Sequence, residues 1–522
     1  MESFITIDIG TTNFKSMLYK ADGTLLFTSV RNYQPVFLGN QQVRQDPDTW
    51  KSALYETLTD TASWLKENNI IPAAAVVASQ RASVIPVDGS GVPLYDAFMW
   101  QDKTTLAQCE NLRADIDLYS AYRKTGLRID PYFSAPKILW LRDNEPQVYK
   151  KTAKFLGVQD YAVFLLTGNF ITDHTQASRT LLFDIEKRIW SDDMLNAAGI
   201  HQTTLPDLIP PGEKAGILLK EVSQITGLPE ALPVVIAGGD QQAAAVGLGV
   251  FKNGRAEANT GTGSFIITHS DAPVFDREMR ILCSISAAPD GWVAEAGILT
   301  SGIIYKWLSG MIGGVKQAGD TEKTDIEEIN HLAGLSSPGA GGVIILPHFK
   351  GCAAPYWDPY AKGVIFNLSL ATTKGDIARA ALESIALELS DNVSIIEENT
   401  GKIDEITVAG GLTQLDLFNR IQSDAFDRPV LRYGNPEATS IGSLIIGGRA
   451  VGIFSSIEEG FGKIVQGNPE VYSPDKANAE IYKNYSIFRK KLYASLSESS
   501  LFKDVYEYQK EAENAKKINA KE

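Results

Sequence analysis

At 522 residues the chain is longer than one hydrophobic core usually organises, so two domains are expected, with room for a terminal appendage. Its 49 Lys and Arg against 63 Asp and Glu leave a formal net charge of −14, which argues against a nucleic-acid groove or an anionic membrane surface as main partner. Any phosphate ligand must then be held by local donors and a metal ion. Three well-separated cysteines without CxxC spacing, no basic leader and no apolar run of roughly 18 residues give the expectation of a soluble cytoplasmic protein without disulfides, zinc or a membrane span.

Ser3 to Ile9 alternates as a strand, Gly10-Thr11-Thr12 turns, and Phe14 to Tyr19 and Thr24 to Thr28 continue an antiparallel meander. The turn gathers Asp8, Gly10, Thr11, Thr12, Asn13 and Lys15. Their amides and hydroxyls suit a phosphate, and Asp8 suits a hard cation such as Mg²⁺, although the same string also serves an ordinary hairpin. A helical rhythm over Asp46 to Asn69 leads to the strand Ala73 to Ala78 and Ser79-Gln80-Arg81. A further strand, Ser83 to Val87, leads to Met99-Trp100-Gln101-Asp102. Polar groups at the end of a buried strand lie where open α/β sheets bind ligands, so Arg81 and Asp102 are candidates for hydroxyl recognition, with Trp100 as an apolar wall. A structural ion pair is the competing account of the two charges. Tyr132 and Phe133, in a turn before a helix at Pro136 to Leu141, either close over a small ligand or belong to the core.

The chain is organised around Gly238-Gly239-Asp240-Gln241-Gln242-Ala243-Ala244, which follows the apolar strand Leu232 to Ala237 and opens a small-residue helix. Glycines let backbone and substrate approach, which makes Asp240 a candidate general base, although an Asp at such a junction is commonly a helix N-cap. A second β-turn-β follows, from Arg255 through Gly261-Thr262-Gly263-Ser264 to His269, and looks like a weak duplication of the first. Two similar domains facing each other across a cleft would bring both turns to one phosphate chain. Helices are expected over Gly297 to Met311, Lys374 to Asn399, Leu415 to Ala425 and Glu437 to Ala450, with the strand Glu405 to Ala409 ending in Gly410-Gly411. After about Ala477 the composition predicts an amphipathic helix and then a solvated tail past Tyr508. The expected division is residues 1–245, 246–462 and 463–522.

Nine stretches in order carry a resemblance: Asp8-Ile-Gly-Thr-Thr12, Ser79-Gln-Arg81, Trp100-Gln101, Ile129-Asp-Pro-Tyr-Phe-Ser134, Ala177-Ser-Arg-Thr180, Gly239-Asp-Gln-Gln-Ala-Ala244, Gly261-Thr-Gly263, Ala354-Pro-Tyr-Trp-Asp-Pro-Tyr360 and Val408-Ala-Gly-Gly411. With them the chain resembles the FGGY family of carbohydrate kinases, most closely its glycerol kinase branch. The resemblance implies an α/β fold of two actin-like ATPase (ribonuclease H-like) domains closing on ATP, Mg²⁺ and a small polyol or ketose. It makes Asp240 the catalytic base and Gln241, Arg81, Trp100, Tyr132 and Phe265 acceptor contacts, with Phe133 beside them. Asp8 and Asp240 fall on the metal, and Gly10, Thr11, Thr12 and Lys15 on the phosphates. Gly261, Thr262, Gly263, Gly302, Lys306, Gly410 and Gly411 fall around the nucleotide.

The chain departs from that pattern at Ala82, where glycerol kinases place a Glu that binds a substrate hydroxyl, and Asp102 is the expected replacement acceptor. Lys306 and Leu415 stand for a Gln and an Asn near the nucleotide. The Gly-rich, Arg-containing loop that confers control by a sugar bisphosphate is missing around Thr226 to Glu230, so no such control is expected. The expected reaction is phosphoryl transfer to a primary hydroxyl of glycerol or a four- to five-carbon polyol or ketose. Alternatives are a xylulose or ribulose kinase, and an actin-like nucleotide-binding regulatory module without kinase activity. No nucleic-acid or membrane partner is expected, and a homodimer or higher homo-oligomer is left open.

Overall fold

A computed structural model describes residues 2–39, 41–312, 322–434, 437–465 and 467–519. The chain divides into two compact units that interleave in sequence: Met1–Asn253 with Thr268–Ala294 and Glu437–Asn468 in one, and Gly254–Ile267 with Glu295–Pro436 and Pro469–Glu522 in the other. The first unit therefore collects two segments from beyond residue 245, because both pack on elements built earlier in the chain.

The first unit is built on β1 (Ser3–Ile9), β2 (Asn13–Lys20), β3 (Leu25–Asn32), helix α1 (Pro47–Glu67), β4 (Ala74–Ser79), helix α2 (Ser134–Asn144), β5 (Lys214–Ile217), β6 (Pro233–Gly239) and helix α3 (Asp240–Gly247). The six strands of its main sheet run in the order β5-β6-β4-β1-β2-β3. The hairpin β1–β2 is antiparallel with Asp8 opposite Lys15, whereas β4 lies parallel to both β1 and β6. In these registers Ile9 and Gly239 both pair with Ser79, so the three parallel strands end level with one another. The chain leaves all three at the same edge, and that edge carries the site.

Both faces of this sheet are covered, which explains why its central strands read as near-continuous apolar runs. Ile5, Ile7 and Ile9 pack with Trp50, Leu54 and Leu58 of α1 on one face. Phe4, Val76 and Val235 pack with Val246 of α3 and with Ile441, Leu444 and Ile445 of the helix Ala438–Ala450 on the other. Each such side chain stabilises the fold by about 1.5–3 kcal/mol of transfer free energy. The start of α1 follows from its sequence: the Asp46 carboxylate accepts the Asp48 backbone N–H at the N-cap, and Pro47 takes the first turn, where no N–H is needed. Helix α3 and the helix Ala438–Ala450 touch backbone to backbone, since a Cβ on Gly442 would stand 1.8 Å from the Ala243 carbonyl oxygen.

The second unit contains β7 (Arg255–Thr260), β8 (Ser264–Ser270), β9 (Trp292–Ile298), α4 (Gly302–Ile312), α5 (Lys374–Thr400), β10 (Glu405–Ala409), β11 (Val430–Arg432), β12 (Glu470–Tyr472), α6 (Lys476–Glu498) and α7 (Leu501–Asn519), β8 and β9 being shared at their ends with the first. Strand β7 pairs in parallel with β10 and β10 with β11, and β12 closes the edge antiparallel. Helix α5 opens on a Thr373–Asp376 capping box and is buried along most of its length. On it sits α6, whose buried Arg489 pairs with Glu388 and Asp391, while the Tyr482 hydroxyl donates to Glu383 at 2.9 Å. The residues after Tyr508, expected as a solvated tail, continue as helix to Asn519. Lys, Glu, Gln and Ala, which make up most of this stretch, are strong helix formers.

Candidate active site

Asp240 opens α3 at its first helical position, and Gly239 occupies the N-cap position without a side-chain bond. The aspartate is therefore not the capping residue. One carboxylate oxygen accepts the Gln241 backbone N–H at 2.8 Å, and the Arg81 Nε lies 3.6 Å away. The Asp240 side chain keeps 24% of its surface exposed, against 2% for Arg81, so a buried guanidinium backs a carboxylate that can reach a ligand. The two glycines make this possible. Gly238 has φ +112, and its Cβ would meet the Thr175 hydroxyl at 2.7 Å; a Cβ on Gly239 would stand 2.5 Å from Arg81 Cδ. The Gly239 N–H donates to the same Thr175 hydroxyl at 2.8 Å, which fixes the strand-to-helix turn.

Asp8 lies at the end of β1 on the same edge. Burial, then the charge of Asp240, push its carboxyl up to about 7; Lys15 opposes this and Glu437 adds to it. Lys15 is held by Glu437, its Nζ donating to both carboxylate oxygens at 2.8 and 2.7 Å. Sequence reasoning missed Glu437, which stands just before the helix Ala438–Ala450 and has no local signal. Among the described residues no group of three or more His, Cys, Asp or Glu could hold a metal ion. Asp8 and Asp240, near enough for the charge of Asp240 to raise the Asp8 carboxyl, are nevertheless a fitting donor pair for Mg²⁺, which binds through one or two carboxylates and completes its shell with water and phosphate.

The hairpin turn is fastened from behind. Tyr33 donates its hydroxyl to the Gly10 carbonyl at 2.6 Å, and the Gly10 N–H reaches the Asn13 carbonyl at 2.9 Å. The Thr11 hydroxyl accepts the Trp100 indole N–H at 3.0 Å and donates to Gln80 at 3.4 Å. Thr12 and Lys15 share this turn. The Trp100 ring meets Tyr132 at 5.4 Å between centroids, forming an aromatic wall near the strand ends. Gln241, part exposed, follows Asp240 on α3.

Two expectations change. Asp102 is fully buried, and its carboxylate is consumed by Arg44, by the Val43 N–H at 2.7 Å and by Thr104, so it does not stand in for the missing glutamate. Phe133 is fully buried beneath Tyr132, with the Arg179 guanidinium 5.2 Å from each ring, and supports the wall rather than lining a pocket. Ala82 is nearly buried and adopts φ +65, a left-handed conformation rare for alanine.

In the second unit the glycine-rich residues form their own group. The Gly261 N–H donates to Gly263 at 2.9 Å, the Ser301 N–H to Thr262 at 2.9 Å and the Gly302 N–H to Gly261 at 3.1 Å, joining the β7–β8 turn to the start of α4. Gly410, with φ +96, ends β10 so close to β7 that a Cβ would stand 2.3 Å from the Thr260 carbonyl oxygen. Gly411 follows it, and Lys306 lies exposed one turn into α4. Phe265 belongs to this unit, against Gly297. Turns with bare backbone beside a helix start are suited to phosphate.

The family model for the N-terminal domain of the FGGY carbohydrate kinases matches residues 3–247, and that for the C-terminal domain matches residues 256–451. A glycerol kinase of Alkalilimnicola ehrlichii is 32% identical over 469 residues, 87% of this chain and 91% of that protein. The structure of Plasmodium falciparum glycerol kinase with ADP is 26% identical with a TM-score of 0.85, covering 95% of this chain and 98% of the other. The ligand-bound xylulose kinase of Lactobacillus acidophilus has the same fold, with a TM-score of 0.88 at 23% identity over 95% and 99% of the two chains. The chain belongs to the FGGY family of carbohydrate kinases. It is an ATP-dependent sugar or polyol kinase with a two-domain α/β fold, not the non-enzymatic nucleotide-binding module that the sequence also allowed. No helix among the described residues is long and apolar enough to cross a membrane.

Proposed function

We propose that the enzyme transfers the γ-phosphoryl group of Mg-ATP to a primary hydroxyl of glycerol or of a four- to five-carbon polyol or ketose, with Asp240 as general base. The observation that carries this is the part-exposed Asp240 carboxylate beside a buried Arg81, at the level edge of three parallel strands. Asp240 would accept the hydroxyl proton, and Arg81, Trp100, Tyr132, Gln241 and Phe265 would orient the acceptor, because phosphoryl transfer depends on positioning and charge more than on covalent help. Asp8, with Asp240, would hold Mg²⁺, which when bound offsets the phosphate charge. The backbone of Gly10 to Thr12 and the Lys15 ammonium would meet the phosphates. Gly261 to Gly263, Gly302, Lys306, Gly410 and Gly411 would meet the rest of the nucleotide.

The named relatives include glycerol and xylulose kinases, and Ala82 with an occupied Asp102 leaves the carboxylate expected for glycerol unreplaced. This widens the acceptor class beyond glycerol. A cytoplasmic location follows from the need for ATP, and the domain division at residues 245 and 462 belongs to the same reading. The test is ADP release with Mg-ATP across glycerol, tetritols, pentitols, tetruloses and pentuloses, repeated with Asp240→Asn. Turnover on one class, falling by about 10²- to 10⁴-fold in the variant, is expected for loss of a positioned base. Acceptor-dependent turnover within tenfold of wild type in a folded Asp240→Asn protein would refute the assignment.

A further inference from the structure

Lys137 is the fourth residue of α2 and has no exposed surface. Its Nζ donates to the carbonyl oxygen of Ala82 at 2.7 Å and to that of Tyr132 at 2.5 Å. These carbonyls belong to two separate turns, one directly after Arg81 and the other carrying Tyr132 itself. The Ala82 backbone sits at φ +65, so its carbonyl direction is imposed by its surroundings and not by local preference. Within the Tyr132 turn, the Tyr132 N–H donates to the Asp130 carboxylate at 2.9 Å and the Phe133 N–H to the Asp130 carbonyl at 3.2 Å, local bonds that do not reach the Ala82 turn. A single ammonium thus joins the two halves of the acceptor wall.

We propose that Lys137 is a positioning residue for the phosphoryl acceptor, clamping the Arg81–Ala82 and Tyr132 turns together through their carbonyl oxygens and thereby setting acceptor affinity. This rests on the reading of Arg81 and Tyr132 as acceptor contacts. The clamp carries a labile charge. Burial lowers the Lys137 ammonium to about 7, against the pull of Asp102, Asp130 and Cys109, while Arg44 pushes with burial. Asp102 is already paired with Arg44 and cannot serve Lys137 as a dedicated counter-ion. Above pH 7 the ammonium becomes an amine, and two charge-assisted bonds become ordinary ones of about half the strength. Acceptor binding should weaken on the alkaline side, while the nucleotide, which touches neither turn in this reading, should not respond to the charge of Lys137.

The experiment measures initial rates between pH 6 and 9, varying the acceptor at saturating Mg-ATP and then Mg-ATP at saturating acceptor, with glycerol, erythritol and xylulose in parallel as acceptors, none of which titrates in that range. The KM of whichever acceptor is turned over is expected to rise roughly tenfold, with an inflection near pH 7, and Lys137→Arg should remove that inflection while leaving unchanged whatever pH dependence Asp8 gives the KM for Mg-ATP. Lys137→Arg, whose guanidinium stays charged, should flatten the profile at the low-KM limit, and Lys137→Met should hold it high at every pH. A flat wild-type profile overturns the proposal even if neither variant folds, and so does a wild-type inflection surviving in folded Lys137→Arg. Tyr132→Ala separates the two levels. An unchanged acceptor KM there sinks the acceptor-site reading itself, whereas a raised KM alongside a flat wild-type pH profile sinks only the role of Lys137.

Discussion

Gly239→Ala adds one carbon to the turn that aims Asp240. Gly239 has φ −61, so alanine meets no backbone penalty there, and the whole effect comes from packing. The new Cβ would lie 2.5 Å from Arg81 Cδ, 2.8 Å from Arg81 Cγ and 2.6 Å from Gln242 Oε1, all on side chains buried within the unit. Reaching ordinary contact requires a retreat of about 1 Å, and overpacking of this kind costs about 1–3 kcal/mol. Arg81 gives way most directly, because its aliphatic stem is what the methyl strikes, and its Nε then moves relative to the Asp240 carboxylate now 3.6 Å away. A misplacement of about 1 Å at a reacting centre costs about 100-fold in rate. The expected result is a folded protein with a lower thermal midpoint, kcat/KM for the acceptor down by roughly that factor, and a KM for Mg-ATP little changed. Steady-state kinetics and a thermal melt on the same preparation decide it. A melt lowered as expected with acceptor kcat/KM within threefold of wild type would refute the claim that the Arg81–Asp240 geometry sets the reaction.

Ala82→Glu restores the carboxylate that the glycerol kinase branch carries; alanine already bears the Cβ strain of φ +65, and a charged hydrogen bond contributes about 1.5–3 kcal/mol, so the glycerol KM should fall by about 10- to 150-fold in pre-equilibrium kinetics. An unchanged or raised KM would mean that this carboxylate cannot reach the acceptor. Burial pushes the Asp160 carboxyl up to about 7, so between about pH 4 and 7 the folded state holds a proton that the unfolded chain has released, and stability falls across that window and levels above it. Asp160→Asn keeps an acceptor for the Gly157 N–H, bonded at 2.7 Å in the native protein, and urea melts at pH 5 and 8 should show a smaller loss than in wild type; an equal loss would assign the dependence to other groups. Arg489→Met strands Glu388 and Asp391 in the interior and should cost about 3–5 kcal/mol in denaturant unfolding, whereas a loss below about 1 kcal/mol would mean that water or Lys490 replaces the guanidinium.

What the sequence made legible was local. The run from Leu232 to Ala244 announces a strand, a close backbone approach and a carboxylate at a helix start because each feature depends on residues within a few positions. The same holds for the Asp8–Lys15 turn and for the Gly261–Gly263 turn. Asp102 shows where that reasoning stops. Its partner Arg44 lies in the polar stretch Gln41 to Asp46 and becomes a core residue only because the strand Gln42–Gln45 pairs with Ala97–Phe98, placing Arg44 opposite Phe98 with its guanidinium 3.5 Å above that ring. A carboxylate beside a tryptophan motif therefore looks available until the sheet register is known.

Glu437 and Lys137 fail to stand out for opposite reasons. Glu437 reaches Lys15 only because small residues on the helix Ala438–Ala450 let it lie against α3, and nothing near Glu437 encodes that approach. Lys137, in contrast, sits in Ser134-Ala-Pro-Lys-Ile-Leu-Trp-Leu141, where every neighbour on α2 as far as Leu141 except Trp140 is buried, and a lysine in such a run should be read as a buried donor looking for carbonyls. The distinction is physical. A buried charge on an apolar helix must have partners whatever the fold, so it can be flagged from sequence before those partners are known, whereas a part-exposed carboxylate such as Glu437 can be satisfied by water and carries no such demand.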